Sequence, residues 1–195
     1  MANSRIYVQS GIKATFVEQF QKLAASRLLG DPTDPNVNHG PQADSTQFET
    51  VHRYIGLADN ATGTDPKAPN SEGPLLVQPV VLVDQEEHSR VVKEEIFGPV
   101  VIINTFDEEE EAIAKANDTE FGLYAALYTK DLERALRVSK ELESGMVGVN
   151  CTSPTGCWDL PFGGWKGSGV GRESLLESLD EYMEKKSIYI RCARL

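Results

Sequence analysis

Val100-Val101-Ile102-Ile103-Asn104-Thr105-Phe106 and the fifty residues that it opens decide the fold. The run is almost continuously apolar and rich in β-branched side chains, the pattern of an interior strand covered on both faces. The acidic stretch Asp107 to Glu111 leads into Ala112-Ile113-Ala114-Lys115-Ala116, a helix whose carboxylates sit at the positive end of its dipole. Ala125-Ala126-Leu127-Tyr128 then reads as strand. Leu132, Ala135, Leu136, Val138 and Leu142 recur at helical spacing, and Met146-Val147-Gly148-Val149-Asn150 reads as strand again. Strand-helix-strand-helix-strand with connections this short predicts an α/β fold: a parallel sheet covered by helices through right-handed crossovers.

Toward the N-terminus, Arg5-Ile6-Tyr7-Val8-Gln9 predicts a strand. Phe16, Phe20, Leu23, Ala24 and Leu28 predict a helix after it, closed by Gly30. Residues 31–41 hold too many Pro, Gly, Asn and Asp to be anything but loop. A second helix begins near Asp44 or Ser45, with Phe48, Val51, Ile55 and Ala58 on its apolar stripe. Leu75-Leu76-Val77-Gln78-Pro79-Val80-Val81-Leu82-Val83 is β-prone, but Pro79 lacks a ladder donor, which predicts an edge strand. Toward the C-terminus come a Gly-rich stretch, Phe162 to Arg172, a short helix from Glu173 to Leu179, and an alternating strand, Lys186-Ser187-Ile188-Tyr189-Ile190-Arg191. Nothing follows that last strand to pair with it, so it is expected to join a sheet of another subunit.

The chain has 195 residues, with 19 Lys+Arg against 30 Asp+Glu and a net charge of −11. That balance argues against a nucleic-acid partner held by phosphate contacts. With 40% hydrophobic and 25% charged residues, the composition is that of a globular chain able to bury a core. No run approaches the ~18 apolar residues of a membrane span, and the start is not like a signal peptide, so no membrane is implied and a cytoplasmic location is expected. Three cysteines, Cys151, Cys157 and Cys192, do not suggest a disulfide framework.

Few isolated motifs carry chemistry. Gly167-Ser168-Gly169-Val170-Gly171 offers closely spaced glycines, but it follows a Pro-Phe-Gly-Gly turn rather than a strand, and Glu173 stands where an anion would sit. His39, His52 and His88 are scattered and the cysteines lack zinc-site spacing, so no metal is expected. Cys151 follows a predicted strand end, where α/β sheets place ligands, and Cys157 lies in the loop beyond.

At Glu94-Glu95-Ile96-Phe97-Gly98-Pro99-Val100 the chain resembles a signature of the NAD(P)-dependent aldehyde dehydrogenase superfamily. Asn117 to Asp131, with Phe121-Gly122-Leu123-Tyr124-Ala125, is similar to a second signature of that family, and Val149-Asn150 with Pro161 to Glu173 to a third. Gly40-Pro41-Gln42 before a helix carrying Gln47, and Ala2-Asn3-Ser4-Arg5 before a strand, extend the likeness over the whole chain.

The resemblance implies roles residue by residue. Glu95 matches the glutamate that hydrogen-bonds the nicotinamide ribose, Phe97 the aromatic near the nicotinamide, and Gln47 a residue of the cofactor-facing helix. Phe162 matches an aromatic of the aldehyde tunnel, and Asn150 to Trp158 cover the loop at its mouth. A family position that is often Lys is Thr50 here.

The resemblance also implies that Met1 falls immediately after the family's nucleophilic cysteine. By that alignment the thiol, the general-base glutamate, the oxyanion-hole asparagine and the Rossmann domain are not among these residues. The expected organisation is a truncated catalytic domain over residues 1–183 and an oligomerisation strand over 184–195, with no cofactor for the isolated chain. NAD(P) enters only if a complementing chain supplies the Rossmann domain.

Three readings follow. In the first, the inherited pocket binds or transforms a reactive carbonyl without redox chemistry, by isomerisation, cyclisation or condensation. Asp159, Glu95, Cys151 and Cys157 are its candidate catalytic groups, and Phe162, Trp158 and Asn150 its substrate contacts. In the second, the chain is a non-catalytic partner that assembles with itself, or with a full-length aldehyde dehydrogenase, through Lys186 to Arg191. In the third, it is a segment of a split or fragmented enzyme that oxidises an aldehyde to a carboxylic acid.

Overall fold

The computed structural model describes residues 3–59, 61–62, 75–152, 159–174 and 176–191. They fall into two compact units, Ala2–Thr119 and Glu120–Leu195.

The first unit is built on a four-stranded sheet in the order β1-β4-β3-β2, where β1 is Arg5–Gln9, β2 Ala61–Thr62, β3 Val80–Val83 and β4 Val100–Phe106. β4 pairs in parallel with β1, with Ile6 opposite Ile103, and with β3, where Leu82 lies opposite Ile102. Side chains alternate along a strand, so β4 serves two cores. Val100 and Ile102 enter one with Leu82, while Ile103 enters the other with Val8 and Val81.

Helix α1, Lys13–Ala25, covers the second core with Phe16, Val17, Phe20 and Ala24. Helix α2, Ser45–Leu57, covers the first with Phe48, Val51, Tyr54 and Ile55. Val91 and Val92 of the single-turn helix α3, Arg90–Lys93, close that side. A strand burying both faces needs apolar residues at nearly every position, which is why 100–103 reads as an unbroken run. The polar exception, Asn104, is buried and satisfied: it accepts from the Gln85 amide (2.9 Å) and donates to the Gln85 carbonyl (2.8 Å) and to Glu87 (2.9 Å). Helix α4, Glu109–Asn117, begins with the acidic residues Glu109, Glu110 and Glu111, as its dipole favours.

Several local expectations change. The first helix ends at Ala25 rather than at Gly30. Beyond Ser26 the chain pairs with residues 38–39, because the Leu28 carbonyl accepts from the amides of Asn38 (3.1 Å) and His39 (3.2 Å). The β-prone stretch from Leu75 becomes strand only after Pro79, and it is not an edge: β3 lies between β4 and the antiparallel β2. The ladder opens at Val80, whose amide donates to the Pro99 carbonyl at 2.8 Å.

In the second unit, β6 (Tyr124–Leu127) and β7 (Met146–Val149) pair in parallel across the crossover helix α5, Leu132–Glu141. They form a sheet of their own rather than extending that of β4, so the five-element pattern is distributed over two sheets. Asp131 caps α5 by accepting from the Arg134 amide at 3.0 Å. β5 (Phe121–Gly122) pairs with β8 (Trp165–Lys166) in an antiparallel ladder. The last helix, α6, is Leu176–Glu181, later than the expected start at Glu173, whose backbone instead bridges to Phe162. Residues 186–191 pair with no described strand, and Tyr189 is 93% exposed. Among the described residues no helix is long and apolar enough to cross a membrane.

Candidate functional site

The turn between α3 and β4, residues 94–99, is held from both sides by α2. α2 is fixed in place by its cap: Asp44 accepts from the Gln47 amide at 2.8 Å. One turn into the helix, Gln47 Nε2 donates to the carbonyls of Ile96 (2.9 Å) and Phe97 (2.8 Å). Two turns on, the Tyr54 hydroxyl donates to Glu94, whose carboxylate also takes a two-pronged contact from Arg90, Nε at 2.7 Å and Nη2 at 2.9 Å. Between these anchors Gly98 lies against Val51: a Cβ there would come within 3.2 Å of Val51 Cγ1 and closer still to Cγ2.

Ile96 is buried in the α2-facing core, whereas Glu95 and Phe97 on either side of it are exposed, Phe97 at 75%. Phe97 has a φ of 57°, a left-handed conformation that costs a bulky residue energy and persists where the surroundings impose it. An exposed aromatic ring and an exposed carboxylate two residues apart, on a turn clamped by helix α2, form a preorganised surface rather than a loose loop. The arginine beside Glu94, and the Tyr54 hydroxyl that donates to it, hold its carboxyl down to about 2. The same hydrogen bond pushes the Tyr54 phenol above its usual range.

The structure therefore brings Gln47, Glu95 and Phe97 together. It adds Glu94, Arg90 and Tyr54, which sequence reasoning passed over. The signals were present: Arg90 and Glu94 are four residues apart, and Tyr54 lies two helical turns from Gln47, on the same face.

The remaining candidates belong to the second unit. Asn150, at φ 57°, ties the end of β7 to the turn after β6. Its amide donates to the Leu127 carbonyl (2.8 Å), its Nδ2 to the Thr129 carbonyl (2.9 Å), and its Oδ1 accepts from the Thr129 amide (2.9 Å). Its side-chain polar groups are thus engaged with the backbone of that turn. Cys151 is exposed, and its carbonyl accepts from the Tyr124 hydroxyl at 3.2 Å. Asp159 is exposed. Phe162 is half-buried and pinned by reciprocal backbone bonds with Glu173, 2.7 and 2.8 Å. Cys157 and Trp158 lie outside the described residues. Among the described residues no three His, Cys, Asp or Glu side chains are grouped to hold a metal ion.

A nicotinamide cofactor suits the first-unit turn on its donor set: a carboxylate able to accept from a ribose hydroxyl, beside an exposed aromatic face able to cover a planar ring. The model of the Aldehyde dehydrogenase family matches residues 1–188. A betaine aldehyde dehydrogenase of Mesorhizobium japonicum is 42% identical over 193 residues, covering 96% of this chain and 39% of that protein. A putative aldehyde dehydrogenase-like protein of Schizosaccharomyces pombe is 43% identical over 195 residues, again covering 39% of its length. Among solved structures, the NAD+ complex of an aldehyde dehydrogenase from Bacillus cereus superposes with a TM-score of 0.91 at 34% identity, covering 97% of this chain and 39% of that one. Betaine aldehyde dehydrogenase of Staphylococcus aureus in complex with NAD+ gives 0.83 at 35% identity, covering 92% of this chain and 37% of that one. The chain thus spans about two-fifths of the length of these relatives. With motifs, fold and family model in agreement, the chain belongs to the aldehyde dehydrogenase family.

Proposed function

We propose that this chain supplies the nicotinamide-facing turn and part of the aldehyde-facing wall of an NAD(P)-dependent dehydrogenase that oxidises an aldehyde to a carboxylic acid. The nucleophilic thiol, general base, oxyanion donor and cofactor domain come from sequence outside these residues. The observation that carries this reading is the clamped turn: Gln47 and Tyr54 hold residues 94–97 so that Glu95 and Phe97 stand exposed while Ile96 is anchored.

When bound, NAD(P) would supply the hydride acceptor for the substrate carbon. Glu95 accepts a hydroxyl hydrogen bond from the nicotinamide ribose and so orients the ring. Phe97 covers that ring and keeps water from it. Phe162, fixed by its bridge to Glu173, contributes an apolar wall for the aldehyde, and Asn150 braces the loop at its mouth. Residues 1–183 form the catalytic part, and residues 184–195 add a strand to a second copy, for which exposed Ile188, Tyr189 and Ile190 are suited.

The test is co-expression of this chain with the portion of the Mesorhizobium japonicum relative that precedes the matched region. Reduced-nicotinamide formation is then followed with betaine aldehyde, the substrate named for that relative, and with other small aldehydes. The assembly is expected to turn over. Glu95→Gln is expected to lower kcat/KM by about tenfold to a hundredfold, the loss of one charge-assisted hydrogen bond. An assembly that forms and stays inactive, or an isolated chain that converts a carbonyl compound without NAD(P) through Cys151 or Asp159, overturns the reading.

A further inference from the structure

Glu94 has no role in the set that the family likeness assigns, yet it holds the turn at the point where the exposed pair begins. Both its oxygens are engaged, by Arg90 from α3 and by Tyr54 from α2. Tyr54 is buried, and the guanidinium carbons of Arg90 and Arg53 lie 5.8 and 5.5 Å from its ring centre, so its hydroxyl is a fixed donor. At the other end of the turn Gln47 grips the carbonyls of Ile96 and Phe97. Glu95 lies between the two clamps, and Ile96 and Phe97 are held in the second.

We propose that Glu94 is a positioning residue: through Arg90 and Tyr54 it fixes the direction in which the Glu95 carboxylate and the Phe97 ring are presented to the cofactor. Its consequence for catalysis rests on the cofactor-facing role proposed above for Glu95 and Phe97. Phe97 at φ 57° would relax if one clamp were released, because the left-handed region is disfavoured for it. The alternative is an ordinary surface ion pair, for the Arg90 and Glu94 side chains are 57% and 40% exposed. Such pairs contribute little to stability and have no reason to govern a neighbour's geometry. The low carboxyl value of Glu94 agrees with continuous engagement of both oxygens.

The experiment places 4-fluorophenylalanine at position 97 of the 195-residue chain and records fluorine-19 NMR spectra of Glu94→Ala, Glu94→Gln and Tyr54→Phe, with urea unfolding of each. Glu94→Ala is expected to broaden the resonance and move it toward that of the free amino acid, while urea unfolding remains a single cooperative transition. Glu94→Gln and Tyr54→Phe, which each weaken one contact, are expected to move it the same way by less. A resonance unchanged in Glu94→Ala overturns the proposal. If that variant does not fold, unchanged resonances in the other two do so.

In the co-expressed assembly, Glu94→Gln is expected to raise KM for NAD(P) about tenfold with a smaller change in kcat. Loss of kcat alone counts against positioning. Failure of the unsubstituted assembly to turn over counts against the dehydrogenase reading, and the fluorine spectra still decide the role of Glu94.

Discussion

Gly98→Ala is the sharpest test of how the turn is seated on α2. The added methyl would meet Val51 Cγ1 at 3.2 Å, Cβ at 3.4 Å and Cγ2 closer still, whereas carbon atoms attract best at about 3.5–4.0 Å. Val51 cannot give way, because it is 0% exposed, β-branched and packed among Phe48, Ile55 and Ile96. Overpacking of this kind costs about 1–3 kcal/mol, and the tight fit places Gly98→Ala in the upper half. Alanine stiffens the unfolded chain, which returns about 0.4–1 kcal/mol. The net expectation is a loss of about 1–2 kcal/mol, or roughly 2–8 °C in Tm for a chain of this size.

The assay is urea and thermal unfolding by circular dichroism, together with Val51→Ala and the double variant. Val51→Ala alone removes buried methyls and costs about 2–3 kcal/mol. In the double variant the new methyl occupies the space vacated, so its loss is expected to fall short of the sum of the single losses by at least about 1 kcal/mol. A neutral Gly98→Ala, or additivity within about 0.5 kcal/mol, would refute the reasoning.

Three further outcomes are expected. Asp44→Ala removes the cap of α2 and should cost about 0.5–2 kcal/mol in urea unfolding, with Asp44→Asn close to unchanged. Glu94 has its carboxyl lowered from 4.5 to about 2, so its stabilisation is present above pH 4.5 and lost as pH falls toward 2; the acid arm of the urea midpoint against pH should flatten there in Glu94→Gln. Burial, with Glu87 adding to it, pushes the Tyr7 phenol up to about 12, so the stability it favours is intact below pH 10 and lost between 10 and 12; ultraviolet titration of Tyr7→Phe should show one late-ionising phenol fewer than the unsubstituted chain.

Much of the first unit was legible in the sequence because its signals are periodic or obligatory. The unbroken run 100–103 announced a strand buried on both faces, and Asp44 with Phe48 and Val51 announced α2. What failed depended on competition between distant segments. The stripe of α1 continues to Leu28, but pairing with Asn38 and His39 draws Leu28 out of the helix. Pro79 suggested an edge, whereas the strand simply starts after it and accepts β2 alongside. Nor does an alternation of strands and helices say which strands share a sheet: among the described residues β6 and β7 pair only with each other.

At the site, Glu95, Phe97 and Gln47 were reachable through the family likeness. Their arrangement was not, because it depends on Gln47 reaching across 49 and 50 residues to two backbone carbonyls. Glu94 was overlooked beside Glu95 because two adjacent carboxylates look alike until one is seen gripped by Arg90 and Tyr54.

The central claim, that this chain works in a redox site, is tested most directly by following the hydrogen itself. The co-expressed assembly is given an aldehyde deuterated at its carbonyl carbon together with NAD(P), and the products are weighed by mass spectrometry. The account predicts a carboxylic acid and a reduced cofactor carrying the deuterium. A product that retains the deuterium, with the cofactor unchanged, would contradict it.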